Sequence, residues 1–117
     1  MAKLSTHVLD TVRGIAAAGV HIELRRVGAA ECVLVTTATT NAQGRTDQPL
    51  VEGNRIEPGV YELSFHVGDY LRRAGDALTD PPFLDIVVVR LGIADPEGHY
   101  HVPLLLSPYG YSTYRGT

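Results

Sequence analysis

The chain has 117 residues, of which 44% are apolar, with a formal charge of −3 and one cysteine, Cys32. This length fits a single domain over residues 1–117, whose one core needs no disulfide or structural metal. The acidic balance, without a lysine–arginine cluster, argues against nucleic acid or an anionic membrane as a partner. The chain shows no signal-peptide pattern and no membrane-spanning run, and a lone cysteine fits a reducing compartment, so we expect a cytoplasmic protein.

The dominant hydrophobic period along the chain is two residues, in short runs separated by turn residues. In chain order, the pattern predicts strands around residues 4–9, 20–25, 32–39, 61–67, 83–93 and 100–106, and a short helix over 68–76. Regularly spaced strands with glycine- and proline-rich turns favour an all-β sandwich. We expect two sheets, seven or eight strands and one short helix.

Strand alternation assigns the five histidines to sheet faces. His21 shares a face with Glu23 and Arg25, and His66 has polar neighbours on its own face, so we interpret both as solvent-facing.

The other three histidines lie on a different kind of surface. The last predicted strand has a wholly apolar inward face, so its His-x-His pair, His99 and His101, points outward. His7 points outward from the first predicted strand, opposite Leu4 and Val8. The outward neighbours include leucine and proline, and exposed apolar patches usually mark an interface. We therefore expect this face to meet another subunit, with the histidines lining the space between.

Three interpretations of these outward histidines stay open on the residues alone. They form hydrogen bonds at a subunit contact, or they hold a zinc ion with an open coordination position, or they perform metal-free acid–base catalysis. No cysteine, aspartate or glutamate stands beside His99 or His101 to complete a zinc site, which weakens the second interpretation.

Three motifs carry a resemblance to a known family: LSTHVLD at 4–10, GRTD at 44–47 and the ending YHVPLLLSPYGYSTYRGT. Together they resemble the 5-hydroxyisourate hydrolases, or transthyretin-like proteins, over the whole chain, and the Tyr-Arg-Gly-(Ser/Thr) ending is the most specific of the three. The resemblance implies a transthyretin-like β-sandwich and a homotetramer of two stacked dimers, whose facing sheets enclose each site.

The activity implied by the resemblance is hydrolysis of 5-hydroxyisourate to 2-oxo-4-hydroxy-4-carboxy-5-ureidoimidazoline in urate degradation. No cofactor or metal is implied. The alternative is a transthyretin-like carrier that binds a small ligand without catalysis. Transthyretin shares the fold but lacks the terminal motif, so the ending favours the hydrolase.

The resemblance also implies the site residues. The implied catalytic residues are His7, Arg45, His101 and Thr117, and the implied substrate-binding residues are Tyr114, Arg115, Gly116 and Asp47. The family usually ends in serine, and Thr117 keeps both the β-hydroxyl and the α-carboxylate. His99 stays outside the catalytic set, either behind it or facing solvent.

The chemistry of ring opening suits these residue types. A histidine can take a proton from water and return one to the departing nitrogen, and His7 with His101 as its partner is the preferred base. The planar guanidinium of Arg45 suits the polar edge of a purine-derived ring and counters developing negative charge. Asp47 is either a partner that orients Arg45 or a turn residue that satisfies nearby backbone amides.

Overall fold

Nine strand segments and one helix form two sheets with a shared core. The computed structural model describes every residue, Met1–Thr117. The elements are β1 (Ala2–Asp10), β2 (Ile15–Ala16), β3 (His21–Val27), β4 (Cys32–Thr39), β5 (Val51–Gly53), β6 (Gly59–His66), α1 (Val67–Arg73), β7 (Ile86–Ile93), β8 (His99–Ser107) and β9 (Gly110–Thr113). The predicted two-sheet β-sandwich with one short helix is confirmed. The short segments β2 and β5 and the terminal β9 are additions, because two to four residues are too few for an alternating pattern to be recognised.

The first sheet is built around β1 and β8, which pair in parallel although they open and close the chain. Their register sets Ser5 opposite His101 and His7 opposite Pro103. The sheet order is β2-β1-β8-β9, and β5 also pairs with β1. Since side chains two apart on a strand share a face, Ser5, His7 and His101 lie on the same outer face.

The second sheet has the order β4-β3-β6-β7, and all its pairs are antiparallel. Its inner side chains meet those of the first sheet in one cluster of 21 buried apolar residues. The alternation predicted for β1 is confirmed, since Leu4 and Val8 are fully buried between the sheets. Thr6, on the same inner face, donates its hydroxyl hydrogen to the Val102 carbonyl oxygen at 2.6 Å, which satisfies a polar group in the core.

The single helix, α1, follows directly after β6 and ties the end of the second sheet to the first. Tyr70 of α1 donates its hydroxyl hydrogen to the carboxylate of Asp10, at the end of β1, over 2.7 Å. Beyond the helix, Gly75 adopts φ +96°, a left-handed conformation that favours glycine and stops the helix there. No helix of this chain has the length and apolar character needed to cross a bilayer.

Candidate active site

The parallel pairing of β1 with β8 builds the floor of the site. Ser5 Oγ and His101 Nδ1 lie 2.9 Å apart and share a hydrogen bond between residues 96 positions apart in the chain. No hydrogen bond within the chain occupies His101 Nε2, so this nitrogen is available to a ligand.

A loop between β4 and β5 brings Arg45 to this face. The Val8 amide donates to the Gly44 carbonyl oxygen at 2.8 Å, and His7 and Arg45 form an antiparallel bridge. Gly44 has φ +76° and packs tightly against β1, so a side chain at this position would meet the Val8 carbonyl. His7 Nε2 donates to the Gln43 carbonyl oxygen at 2.8 Å, so this nitrogen carries a hydrogen and clamps the loop to β1.

The C-terminal tail folds back over β8. The Gly116 amide donates to the His101 carbonyl oxygen at 2.7 Å, in an antiparallel bridge. The Arg115 guanidinium lies 4.1 Å from the centre of the Tyr100 ring and donates to the His99 carbonyl oxygen at 3.1 Å. These contacts hold the last residues of the chain against the sheet.

Loop, strands and tail enclose a polar pocket of about 270 Å³. Its lining consists of Lys3, Ser5, Arg45, His99, Tyr100, His101 and Thr117. Three of the four residues implied as catalytic therefore line one pocket, and His7 adjoins it through its bridge to Arg45.

Lys3 and Ser5 line the pocket, although the sequence did not indicate a role for either in the site. Both share the outer face of β1 with His7, at spacings of two and four residues. This spacing from His7 is the feature of the sequence from which their place in the site could have been predicted.

None of the four implied substrate-binding residues lines this pocket. The Asp47 carboxylate accepts a hydrogen bond from the Asn41 amide at 3.0 Å and forms no ion pair with Arg45, so it stabilises the loop. The Tyr114 side chain is 59% exposed and lines a separate apolar groove with Val89 and Leu91. Arg115 and Gly116 bind the backbone of β8, and Arg115 faces the same groove as Tyr114.

The pocket is electropositive, and this affects His101. Burial lowers the pKa of His101, and the positive charges of Arg45, His7 and Lys3 lower it further. His101 is therefore neutral at neutral pH, as a general base must be. Lys3 and Arg45 together also favour a ligand rich in carbonyl oxygens or carrying negative charge.

The geometry opposes the zinc interpretation of the outward histidines. His7 Nε2 and His99 Nε2 each donate to a backbone carbonyl, of Gln43 and Met1 respectively, so neither nitrogen has a lone pair free for a metal. The nitrogens of His7, His99 and His101 do not converge within 4.8 Å.

His21 and His66 are not the plain solvent-facing residues that the alternation suggested. They do lie on the outer face of the second sheet, but both are half-buried and their ring centres are 4.9 Å apart. His66 Nε2 lies 3.0 Å from a carboxylate oxygen of Glu23.

Comparisons with known proteins identify the family of this chain. The family model described as HIUase/Transthyretin family matches residues 4–116. A relative from Rhizobium meliloti (strain 1021), named 5-hydroxyisourate hydrolase 2, is 56% identical over 115 residues, which are 98% of this chain and 96% of the relative.

Two solved structures show the same fold. A crystal structure of (S)-allantoin synthase superposes with a TM-score of 0.92 at 40% identity, covering 99% of this chain but only 44% of that one. Sea bream transthyretin in complex with thyroxine superposes with a TM-score of 0.85 at 30% identity, covering 97% of this chain and 94% of that one. The chain belongs to the HIUase/transthyretin family.

Proposed function

We propose that this protein hydrolyses 5-hydroxyisourate, opening a cyclic amide as a step in urate degradation, without a metal or cofactor. The observation that carries the proposal is the docking of the C-terminal tail on His101, which completes a polar, electropositive pocket with Arg45, Lys3 and Thr117. The relative with 56% identity over nearly the full length bears the corresponding name.

In the proposed mechanism, His101 is the general base. Its Nε2 takes a proton from water while the water oxygen attacks a ring carbonyl carbon, which produces a tetrahedral oxyanion. The C–N bond then breaks, and the imidazolium returns its proton to the departing nitrogen, so that one water is consumed in each turnover. For Nε2 to accept this proton, Nδ1 must carry the hydrogen, and Ser5 Oγ is positioned to accept it.

This proposal differs from the preference for His7 that the sequence suggested. His7 Nε2 already donates to a backbone carbonyl, whereas His101 Nε2 has no partner and its pKa is lowered. In the proposal His7 is a positioning residue, because it holds the loop that presents Arg45.

Arg45 and the chain end supply the remaining interactions. The Arg45 guanidinium counters the oxyanion and binds the oxygen-rich edge of the ring in two places. The Thr117 hydroxyl and carboxylate contact the substrate in the pocket, while Arg115 and Gly116 hold the tail on β8. Tyr114 and Asp47 act indirectly in this scheme, through the tail and the loop.

We further propose that the chain, as one domain over residues 1–117, works as a homotetramer in the cytoplasm. One continuous core supports the single domain. The position of the pocket on an outer sheet face, where a facing subunit would close it to water, supports the tetramer. A molar mass of four chains from light scattering is expected, and a monomer at working concentration contradicts the proposal.

The alternative, a carrier of a small ligand, is favoured by the similarity to a transthyretin solved with thyroxine. Its prediction is tight thyroxine binding without turnover. The polar pocket, with two cationic side chains and a histidine, suits that large aromatic ligand less well.

A coupled assay tests the hydrolase. Urate and urate oxidase generate 5-hydroxyisourate, and its transient absorbance should decay faster with the protein present. His101→Asn should lower kcat by about 10²–10⁴-fold, the usual contribution of acid–base catalysis. His7→Asn should lower it by about 10²-fold, the cost of displacing the loop that presents Arg45. His21→Asn, on the other sheet, should retain the wild-type rate. Decay no faster than the uncatalysed reaction contradicts the proposal, and thyroxine binding in that case supports the carrier.

A further inference from the structure

The outer face of the second sheet holds a cluster of side chains that are able to bind a metal ion, and this cluster is remote from the pocket. We propose that His21, Glu23 and His66 form a site for one divalent transition-metal ion of the zinc type. His21 and Glu23 stand two residues apart on β3, and His66 ends the neighbouring strand β6. One ligand atom from each of the three lies within 4.8 Å of the other two.

Strand pairing explains why the three side chains converge. Ile22 pairs with Phe65, so the next residues along the two antiparallel strands, His21 and His66, are neighbours. Their rings lie 4.9 Å apart, inclined at 58°. Glu23 shares the face of His21 because the two are separated by one inward-facing residue. Backbone hydrogen bonds of the sheet fix the Cα positions of all three residues. Ion binding therefore costs little backbone conformational entropy.

The spacing is close to that of a bound ion. Metal–ligand distances of about 2.0–2.2 Å in a tetrahedral site place the ligand atoms roughly 3.4 Å from one another. His66 Nε2 and Glu23 Oε1 are already 3.0 Å apart, joined by a shared hydrogen that the ion would replace. The ligand atom of His21 lies within 4.8 Å of the other two, so it has to approach them by at most about 1.4 Å. Two histidines and one carboxylate then leave a fourth position for water, as in several zinc sites.

The charge at the site suits a cation of moderate affinity. Two hydrogen bonds hold the Glu23 carboxylate in place, one from His66 Nε2 to Oε1 at 3.0 Å and one from the Arg25 guanidinium to Oε2. Arg25 binds the other carboxylate oxygen, Oε2, at 3.3 Å, and leaves Oε1 to the ion. The guanidinium repels a metal ion, which weakens binding without blocking the ligand atoms. The remaining charges on this face, Glu62 and Arg90, neutralise each other at 2.8 Å.

The bound ion would have a stabilising role. It would cross-link β3 to the junction of β6 with α1, and ions that bind only the folded state raise the unfolding temperature as their concentration rises. No catalytic effect is expected, because the cluster and the pocket lie on opposite faces of the sandwich.

Zinc titration of metal-stripped protein tests the site. A Cys32→Ser background removes an exposed thiol that binds zinc by itself. Calorimetry should find one zinc ion per chain, and Co²⁺ should give the visible absorption of a tetrahedral site. Glu23→Gln and His66→Asn should each weaken binding at least tenfold and abolish the zinc-dependent rise in unfolding temperature, while hydrolase rates stay at the wild-type level.

His99→Asn and His101→Asn are the matched controls, because they remove histidines of the pocket and should leave zinc binding unchanged. Zinc binding that disappears in the His101 variant and persists in the His66 variant overturns the proposal and assigns the ion to the pocket. Absence of binding at 1 mM zinc also overturns the proposal. The cluster is then only an ion pair of Glu23 with His66, against which the His21 ring packs.

Discussion

At the scale of single residues, Ser5 determines which nitrogen of His101 is available. Ser5→Ala removes the partner of Nδ1, and a neutral hydrogen bond of this kind contributes about 0.5–1.5 kcal/mol, so kcat should fall about two- to tenfold. Steady-state kinetics should show the loss mainly in kcat, with little change in KM. Ser5→Thr keeps the hydroxyl and should restore most of the rate. Equal rates for the alanine and threonine variants would mean that the hydroxyl has no positioning role.

Lys3 acts on His101 through charge alone. Its positive charge helps to lower the His101 pKa, so Lys3→Gln should raise that pKa toward the ordinary value of 6.5. A base works only when unprotonated, so the acid limb of the pH profile of kcat/KM should move to higher pH in this variant. Imidazole NMR titration of His101 gives the same pKa independently. Lys3→Arg keeps the charge and should leave the profile in place; a shift of equal size in both variants would contradict the electrostatic explanation.

At the scale of elements, the C-terminal tail and β8 form one unit that tolerates no side chain at residue 116. A Cβ on Gly116 would lie 2.7 Å from His101 Cδ2, which is closer than atoms can pack. Gly116→Ala should therefore displace the ring or the tail and reduce kcat/KM by about 10²-fold, the cost of roughly 1 Å of misplacement at a site.

Gly110→Ala is the matched control for the tail. At that position a Cβ meets only the Ser107 hydroxyl, at an ordinary 3.7 Å, and the rate should be unchanged. The unfolding temperature of both variants should stay close to that of the wild type, since the tail lies outside the core. A fully active Gly116→Ala protein would place the tail outside the site.

At the scale of the whole molecule, Asp10 connects the first sheet to helix α1, which follows the second sheet. It is 1% exposed, and it accepts hydrogen bonds from Tyr70 of α1 at 2.7 Å and from the Arg13 guanidinium at 3.0 Å. Burial alone would raise the pKa of Asp10, but the hydrogen bonds from Tyr70 and Arg13 outweigh it, and the pKa is lowered below 3.8. A lowered pKa contributes stability that is present above pH 3.8 and lost as the pH falls through the folded-state value.

Asp10→Asn should therefore destabilise the protein by about 1–3 kcal/mol at pH 7, the cost of losing charged hydrogen bonds in a buried setting. Denaturant unfolding at equal protein concentration measures this difference, which should shrink at pH 3. Asp69→Asn, an exposed carboxylate 3.9 Å from Arg72, should change the stability by less than about 0.5 kcal/mol. A difference between Asp10→Asn and wild type that is constant from pH 7 to pH 3 would contradict the assigned charge.

The sequence by itself determined which sides of β1 and β8 face the core. Alternation is a local property of extended backbone, so the inward positions of Leu4 and Val8 and the outward positions of His7 and His101 could be predicted without any partner strand. The terminal motif likewise indicated the family and four residues at the chain end, of which Thr117 lines the pocket.

Only the tertiary structure decided which outward residues meet. The parallel register of β1 with β8 pairs Ser5 with His101 across 96 positions, and the β3–β6 register brings His66 to Glu23. Within the loop between β4 and β5, Asp47 accepts a hydrogen bond from Asn41 and forms no ion pair with Arg45. Register depends on the pairing of distant strands and on the burial of whole faces, and a shift by one residue would reverse every side chain, so no local pattern contains it.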